Sequence, residues 1–195
     1  MSIEFYQNNA DEFFTGTVKV DMTNIYQRFT KNIIPNALIL DAGCGSGRDS
    51  KAFIEMGYRV DAFDASSELV TRASNYTGLD VKLALFEDVA AFEKYDAIWC
   101  CASLLHVPEA DLTDTLSKLA MALKNNGTWY VSFKYGDSQR EKGGRMFTDM
   151  NEARLSKLIA SIPSIKTEAI WITEDNRPDR QEKWLNAILT KNIVS

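Results

Sequence analysis

The sequence predicts an α/β fold, a doubly wound and mostly parallel sheet of seven strands with helices on both faces. From residue 37 onward, short apolar runs alternate with helical patterns. Strands separated by helices of this length indicate βαβ units, which pair their strands in parallel and cover both faces of the sheet. Near the C-terminus the alternation stops. Two strand-like runs are joined there by the polar stretch DNRPDRQ, which predicts an antiparallel hairpin.

Seven runs have the apolar, β-branched and aromatic residues that strands favour. In chain order they are ALILDA, RVDAFD, DVKLALF, YDAIWCC, TWYVSFKY, SIKTEAIWITE and EKWLNAILT. Helical patterns follow the first two runs, at RDSKAFIEMGY, which stops at Gly57, and at SSELVTRASNY. These alternating runs predict the parallel part of the sheet.

Two further helices are predicted before the C-terminal hairpin. One begins near Pro108, a residue that suits a first helical turn, and ends at Asn125-Asn126-Gly127. Its apolar face consists of leucines at helical spacing, namely Leu112, Leu116, Leu119 and Leu123. The other helix is capped by Asp149 with Glu152.

Residues 1–195 are predicted to form one domain, because no linker, repeat or low-complexity segment interrupts the chain. At 195 residues the chain is long enough for one sizeable core and short for two. Residues 1–35 look helical and polar on one side, and would form a cap over the rim of the sheet. Residues 36–195 would form the α/β core.

Composition and charge narrow the class of protein. The chain is 45% hydrophobic and 25% charged, as is ordinary for a globular protein. A net charge of −5 argues against non-specific nucleic-acid binding, and we expect no DNA partner. Cys44, Cys100 and Cys101 have neither disulfide-framework nor zinc-ligand spacing, so we expect buried free thiols and no metal site.

The sequence also bears on location. The stretch MSIEFYQNNADEFF has neither the basic nor the apolar part of a signal peptide. No apolar run approaches the ~18 residues that span a bilayer. We therefore expect a cytoplasmic protein without a membrane partner. No feature of the sequence indicates an oligomeric state.

The stretch LILDAGCGSGRDS, residues 38–50, predicts a ligand site at the end of the first strand. Ligands of open parallel sheets bind outside the carboxyl ends of the strands, where the strand order reverses. Gly43, Gly45 and Gly47 permit positive φ angles and let a ligand approach the main chain. The helix that follows presents free N–H groups to an anion.

A carboxylate at the end of the second strand points to the kind of ligand. Asp64 lies 21 residues beyond Gly43, where it can accept both hydroxyl hydrogens of an adenosine ribose. The dinucleotide fingerprint needs a small residue at its sixth position, and the sequence has Arg48 there. The lysine and hydroxyl residue of a P-loop are also missing.

The stretch Asp41-Ala42-Gly43-Cys44-Gly45-Ser46-Gly47 resembles motif I of the class I S-adenosylmethionine-dependent methyltransferases at every position. Asp64 matches the ribose-binding acidic residue of that family. Phe86-Glu87-Asp88-Val89 follows the third strand, where the family contacts the adenine. The segment from Cys101 to Val107 follows the fourth strand, where the family lines the methyl-donor site. The resemblance covers most of residues 30–190 and implies a Rossmann-like fold.

The resemblance also implies a cofactor and its site. The cofactor would be S-adenosylmethionine, with S-adenosylhomocysteine as the product. The residues expected to bind it are Tyr6, Asp41, Ala42, Gly43, Cys44, Gly45, Gly47, Arg48, Asp64, Ala65, Ser66, Glu87, Asp88, Val89, Cys101, Ala102 and Ser103. Phe5 and Tyr6 would fold over the site as an aromatic lid, and Tyr26 or Arg28 would reach the carboxylate of the donor. Ordinary packing of an amphipathic helix is the alternative for this N-terminal segment.

Methyl transfer from a sulfonium is an in-line displacement, so the protein mainly aligns and desolvates the two reactants. A base is needed only when the acceptor arrives protonated. His106, the only histidine of the chain, follows the fourth strand and is the candidate catalytic base. Capping the next helix or holding the loop are the alternative roles for this residue.

The segment KYGDSQREKGGRMFTD, after the fifth strand, is expected to be a mobile loop that closes on the methyl acceptor. Lys134, Tyr135, Arg140 and Arg145 are the candidate substrate-binding residues, and the positive charges of Lys134, Arg140 and Arg145 suit an anionic group. Arg177 and Arg180 in the hairpin turn are weaker candidates for the same role.

We expect a small-molecule acceptor, because the sequence contains no separate substrate domain. The N-P-P-[YF] signature of amide and adenine methylation is absent after the fourth strand, where the sequence has Cys101-Ala102-Ser103-Leu104. Methylation of a protein or an RNA is one alternative. A non-catalytic module that binds S-adenosylmethionine or S-adenosylhomocysteine is another.

Overall fold

The computed structural model describes residues 2–177 and 181–192, which form a seven-stranded sheet, a separate hairpin and the surrounding helices. The strands are β1 (Leu38–Ala42), β2 (Arg59–Asp64), β3 (Lys82–Leu83), β4 (Tyr95–Cys100), β5 (Leu123–Lys134), β6 (Gln139–Lys142), β7 (Arg145–Thr148), β8 (Ile165–Glu174) and β9 (Lys183–Lys191). The helices are α1 (Ser2–Asn8), α2 (Ala10–Thr17), α3 (Thr23–Thr30), α4 (Arg48–Glu55), α5 (Ser67–Thr77), α6 (Glu109–Ala122) and α7 (Glu152–Ala160). Two short 3-10 turns, Phe86–Asp88 and Leu104–His106, follow β3 and β4.

The sheet has the strand order β3-β2-β1-β4-β5-β9-β8. The pairs β1–β2, β1–β4, β2–β3 and β4–β5 are parallel, whereas β9 runs antiparallel to both β5 and β8. The predicted fold class, a mostly parallel seven-stranded sheet ending in an antiparallel hairpin, is therefore confirmed. The strand order reverses between β1 and β4, so a crevice is expected at their carboxyl ends.

Alternating side chains bury both faces of the sheet, as the βαβ pattern requires. On one face, Ile39, Trp99 and Tyr130 pack with aromatic residues of α3 and α4. On the other face, neighbouring residues such as Leu40 and Ile98 pack against the leucines of α6. The rings of Trp99 and Tyr130 are stacked with centroids 4.0 Å apart. Helices therefore shield both faces and leave the strand ends to form the site.

A buried ion pair lies at the start of α4, directly after the glycine turn. The Arg48 Nε is 2.6 Å from the Asp49 Oδ1, and both side chains are largely buried. The Tyr26 hydroxyl donates to Asp49 over 2.5 Å, and the Trp99 indole N–H donates to it over 2.9 Å. Burial by itself would raise the pKa of Asp49, but the Arg48 guanidinium and these hydrogen bonds hold that pKa below its usual value. The network joins α3, α4 and β4 beneath the glycine turn.

Several predicted boundaries are wrong. Helix α6 ends at Ala122, and the buried Leu123 begins β5 by pairing with Tyr95. The segment Asn125-Asn126-Gly127 therefore lies within β5 and does not form the expected helix end. Only Lys82–Leu83 of the run DVKLALF forms a strand, β3. This strand is exposed at the edge of the sheet and pairs only with β2. Edge strands in proteins are often this short.

The expected mobile loop after β5 is instead the antiparallel hairpin β6–β7. Gly143 and Gly144 both have positive φ, which fits the two-residue turn between Lys142 and Arg145. Asp149 follows this hairpin and pairs with Arg140, so it does not cap α7. The cap is Asn151, whose side chain accepts from the Arg154 N–H over 3.0 Å.

The predicted C-terminal hairpin is present as β8–β9. Part of its connection, including the candidate Arg180, lies outside the described residues. Among residues 2–177 and 181–192, every helix is too short or too polar to cross a bilayer.

We expect Asp49→Ala to lower the free energy of unfolding by about 3–5 kcal/mol, because it leaves the buried Arg48 guanidinium without a counter-charge. Urea unfolding of the ligand-free protein measures the loss. Asp80→Ala is the control, since Asp80 forms an exposed ion pair with Lys82 that contributes at most about 1 kcal/mol. Equal effects of the two changes would contradict the structural role of the network.

Candidate functional site

The glycine turn lies between β1 and α4, at the crevice where the strand order reverses. Gly43, Gly45 and Gly47 all have positive φ, at 77°, 55° and 76°. A Cβ at Gly43 would lie 2.5 Å from the Ser103 Cβ, because the loop after β4 packs directly on the turn. A Cβ at Gly45 would lie 3.0 Å from the Phe13 ring of α2. Both glycines are therefore required by the backbone conformation and by close neighbours.

Asp64 ends β2 and reaches the same turn. Its Oδ2 accepts from the Gly45 N–H and its Oδ1 accepts from the Ser66 N–H, each over 2.9 Å. A carboxylate has about four lone-pair sites, and the main-chain N–H groups of Gly45, Ser66 and Ala65 do not use all of them, so Asp64 can still accept from another donor. Burial raises the pKa of Asp64, and the main-chain N–H groups partly offset that rise. The carboxylate is thus fixed in position beside the turn.

A cavity of about 770 Å³ opens along these strand ends. This volume lies in the range of small-molecule and cofactor sites. Of the predicted site residues, those that line it are Tyr6, Gly43, Cys44, Gly45, Arg48, Asp64, Ala65, Ser66, Glu87, Cys101, Ala102, Ser103, His106, Lys134 and Arg145. Residues that are distant in sequence, from α1 to β7, thus meet at one cleft.

The remaining predicted residues do not line the cavity: Asp41, Ala42, Gly47, Asp88, Val89, Tyr135 and Arg140. Asp41 accepts from the Ser50 hydroxyl in the interior, and burial together with the nearby Asp49 charge raises its pKa. Asp88 accepts from the Leu85 N–H within its own turn.

Two predicted substrate-binding residues and two predicted donor contacts also point elsewhere. Arg140 is paired with Asp149, and the Tyr135 hydroxyl lies 3.1 Å from Glu152 on the surface. The Tyr26 hydroxyl is bonded to Asp49, as described above. Arg28 stacks over Trp171, with its guanidinium carbon 4.8 Å from the ring centroid.

Helices α1 and α2 cover the cleft. The Phe13 ring lies against Gly45 and meets the Tyr6 ring edge-on, with centroids 5.1 Å apart. The Gln7 amide donates to the Ser67 hydroxyl over 2.7 Å and accepts from the Ser66 hydroxyl over 3.0 Å. These contacts hold the N-terminal helices on the end of β2 and on α5.

His106 is hydrogen-bonded through both ring nitrogens. Its Nδ1 lies 2.8 Å from the Met146 carbonyl oxygen, and its Nε2 lies 2.8 Å from the Tyr6 hydroxyl. A carbonyl can only accept, so Nδ1 carries the hydrogen and the Nε2 lone pair accepts from Tyr6. The main-chain N–H of Met146 donates to the Ser2 hydroxyl over 3.0 Å, which fixes the same point of β7 to α1.

The environment of His106 keeps the ring neutral. Burial lowers the pKa of His106 to about 4, the Met146 hydrogen bond opposes this, and the positive charges of Arg145 and Lys134 add to it. The His106 ring therefore stays uncharged down to a lower pH than the ring of an exposed histidine.

The far end of the cavity carries three positive side chains. Lys134 is 2.7 Å from Glu182, and Arg177 is 2.5 Å from Asp175. The Arg145 guanidinium donates to the Tyr6 oxygen, and its Nε is buried without a hydrogen-bond acceptor. Its guanidinium carbon stacks 4.1 Å from the Phe5 ring centroid and 5.2 Å from that of Phe147. This end can therefore receive an anion beside aromatic surface.

Sequence reasoning missed several lining residues of this end. Phe147 and Trp184 give it aromatic walls, and Asn186 a polar one. Asn186 accepts from the Tyr130 hydroxyl over 2.7 Å and is fully buried. A polar residue within the apolar run EKWLNAILT was the available signal for it. Phe147 had no comparable signal, because its segment was interpreted as a loop.

Residues 39–127 match a family model described as a methyltransferase domain. This match covers slightly less than half of the chain and supports a class I S-adenosylmethionine-dependent methyltransferase. The resemblance found in the motif Asp41 to Gly47 is thereby confirmed.

Curated relatives of this methyltransferase domain include the ubiquinone biosynthesis O-methyltransferases of Xanthomonas campestris pv. campestris. The chain is 35% identical to them over 106 residues, which are 51% of this chain and 44% of theirs. A protein of the same name from Xanthomonas oryzae pv. oryzae is 33% identical over 106 residues, with the same two shares. The chain thus spans less than half the length of the curated relatives it matches.

Solved structures share the fold of this chain at low identity. The 1,6-didemethyltoxoflavin-N1-methyltransferase of Burkholderia thailandensis superposes with a TM-score of 0.78 and 20% identity, over 97% of this chain and 85% of that one. The N-methyltransferase NodS of Bradyrhizobium japonicum superposes with a TM-score of 0.74 and 11% identity, over 95% and 97%. The segment that matches the family model ends before Lys134 and Arg145, so the cationic end of the cleft lies outside it.

We expect Gly43→Ala to be more destabilising than Gly57→Ala. Both changes place a side chain at positive φ, a strain of about 1–2 kcal/mol. A Cβ at Gly57 meets no atom within 4 Å, whereas one at Gly43 would overlap Ser103. Overpacking adds about 1–3 kcal/mol, so urea unfolding is expected to separate the two variants by that amount. Equal losses would show that only the backbone conformation matters at Gly43.

Proposed function

We propose that this chain transfers the methyl group of S-adenosylmethionine to a small, anionic acceptor by in-line displacement, with S-adenosylhomocysteine as the product. One observation carries the proposal: Asp64 is bonded to the glycine turn at positive φ, and its carboxylate can still accept from a donor in the adjoining cleft of cofactor size. This cradle fits an adenosine ribose, whose two hydroxyl groups need acceptors and whose approach needs a turn without side chains.

The cofactor roles are assigned to the lining residues. Asp64 would accept from the ribose hydroxyls, and Glu87 with the turn after β3 would lie at the adenine. Gly43, Cys44 and Gly45 would present the main chain to the rest of the nucleoside. When bound, the cofactor supplies a methyl group on a positively charged sulfur. The protein aligns and desolvates the two reactants, and α1 and α2 would exclude water from above.

The acceptor is assigned to the cationic end of the cleft. Arg145 supports an anionic acceptor, because it is a positive charge in the cleft whose buried Nε has no hydrogen-bond acceptor. The relatives also support a small acceptor, since their names refer to ubiquinone biosynthesis and to a toxoflavin precursor. The net charge of −5 argues against DNA as the substrate.

We further propose that residues 1–195 act as a single unit, in which the helices of residues 1–35 close the cleft built by residues 36–195. The contacts of Tyr6, Gln7 and Phe13 with the core support this arrangement. The three free cysteines suit a reducing compartment, so we propose that the protein works in the cytoplasm.

Calorimetry with S-adenosylmethionine and S-adenosylhomocysteine, followed by a metabolite screen with methyl-labelled donor, tests the proposed function. We expect Asp64→Ala to weaken the binding of both nucleosides by about 1–3 kcal/mol, because the ribose hydroxyls lose their acceptor. Asp61→Ala is the matched control, since Asp61 lies on the same strand and forms a half-exposed ion pair with Lys94. Unchanged affinity in the Asp64 variant would remove the ribose role, and no binding to the unmodified protein would overturn the proposed function.

We expect Arg145→Gln to raise the KM of a carboxylated acceptor by about 10- to 100-fold, the scale of a lost charged hydrogen bond. The amide analogue of that acceptor, which has no charge, should be affected much less. Lys142→Gln is the control, because Lys142 lies exposed on the same hairpin. Steady-state kinetics with acceptors from the labelled screen measure both values, and equal turnover of acid and amide by the unmodified protein would contradict an anionic acceptor.

A further inference from the structure

We propose that Tyr6 and His106 together remove the proton of the methyl acceptor, with the Tyr6 oxygen touching the acceptor and His106 Nε2 receiving the proton. This inference rests on the proposed methyl transfer and assigns two groups to its chemistry. It also narrows the acceptor to a molecule whose reacting atom carries a hydrogen, as a hydroxyl or an N–H group does.

The direction of the hydrogen bonds determines which group can receive a proton from the cavity. The Met146 carbonyl fixes the hydrogen of His106 on Nδ1, so Nε2 can only accept. The single hydrogen of the Tyr6 hydroxyl is therefore directed at Nε2, over 2.8 Å. The Arg145 guanidinium donates to the Tyr6 oxygen, which has a second lone pair for a group in the cavity, and Tyr6, His106 and Arg145 all line the cleft. A group that binds Tyr6 from the cavity must therefore donate a hydrogen to it.

The proton transfer follows from the same geometry. The acceptor gives its proton to the Tyr6 oxygen as Tyr6 gives its own proton to His106 Nε2. The electron pair left on the acceptor atom forms the bond to the methyl carbon, and the pair of the carbon–sulfur bond leaves with sulfur. The ring of His106 ends as an imidazolium, and water removes its extra proton after the product leaves.

The charges around the pair favour proton acceptance once an anionic acceptor is bound. Arg145 and Lys134 face His106 and lower its pKa in the free protein, after the larger effect of burial. Burial raises the pKa of Tyr6, Arg145 and Arg177 oppose that rise, and Asp64 adds to it. An anion beside Arg145 would offset the positive charges that disfavour an imidazolium at His106. The base is thus expected to strengthen when the substrate is present.

Tyr6 lies on α1, whereas His106 lies after β4, so the pair exists only while α1 is docked on the cleft. The site would therefore assemble its base in the same step that excludes water. If His106 only held the loop, it would need the Met146 contact but not the Tyr6 contact.

Two measurements test the proposal, and the first needs neither donor nor acceptor. His106 is the only histidine, so its ring nitrogens give unambiguous ¹⁵N NMR signals. In the unmodified protein we expect the ring hydrogen on Nδ1. In Tyr6→Phe we expect the Nε2 signal to shift toward that of a ring nitrogen whose lone pair accepts no hydrogen bond. Tyr76→Phe, a change at a partly exposed tyrosine, is the control and should leave both signals in place. A hydrogen on Nε2, or an unchanged Nε2 signal in Tyr6→Phe, would overturn the proposal.

The second measurement is turnover of phenol and N–H acceptors identified with methyl-labelled donor. We expect Tyr6→Phe and His106→Asn to lower kcat by about 100-fold or more, with the Kd of S-adenosylhomocysteine within about twofold. His106→Asn keeps a donor for the Met146 carbonyl and removes the basic nitrogen. Rates of both variants should recover at a pH above the pKa of the acceptor, because an ionised acceptor needs no base.

The outcomes separate this proposal from the proposed function. Equal loss at every pH would show that Tyr6 only positions the acceptor, and would overturn the proton transfer. Failure of the unmodified protein to bind S-adenosylmethionine would count against the proposed function instead. The NMR result would then decide the hydrogen-bond direction by itself.

Discussion

The buried ion pair between Arg48 and Asp49 is the interaction on which the cleft depends. It lies in the first turn of α4, so it fixes the segment that follows the glycine turn. Through Asp49 the same network holds the Tyr26 hydroxyl of α3 and the Trp99 indole of β4. A fully bonded buried network has one low-energy arrangement, and partial loss of its partners is costly. The turn, which is rich in glycine and would otherwise be flexible, is therefore held rigidly from below.

The cleft is lined by two parts of the chain, one within the segment that matches the family model and one beyond it. The part proposed for the donor is built by β1, β2 and β4, which lie within the segment that matches the methyltransferase domain. The part proposed for the acceptor is built by the end of β5, the β6–β7 hairpin and β9, which lie beyond it. Helix α1 touches both parts, because Gln7 bonds to α5 and Tyr6 bonds to His106. The two parts of the cleft therefore come from different segments of the chain, and α1 contacts both.

The sequence predicted the structure of the glycine turn better than that of the segment after β5 for a physical reason. Positive φ at Gly43 and Gly45 and the position of Asp64 follow from local backbone requirements and from strand ends that must meet at one edge. The pair Gly143-Gly144 is the signal of a two-residue turn, but the many charges around it are equally typical of a loop, so the hairpin was not predicted. The contact between Tyr6 and His106 joins residues 100 positions apart. No periodicity or spacing encodes such a contact, so only the folded structure reveals it.

Met146 shows how a position can matter to the cleft through its main chain alone. Its N–H group is bonded to Ser2 and its carbonyl to His106, while its side chain takes part in neither bond. Almost any residue can supply these two groups, and proline is the exception because it has no N–H. A family alignment read by side-chain identity would therefore pass over this residue. What evolution must preserve there is the length and register of the hairpin, since a one-residue slip would present a different carbonyl to the imidazole.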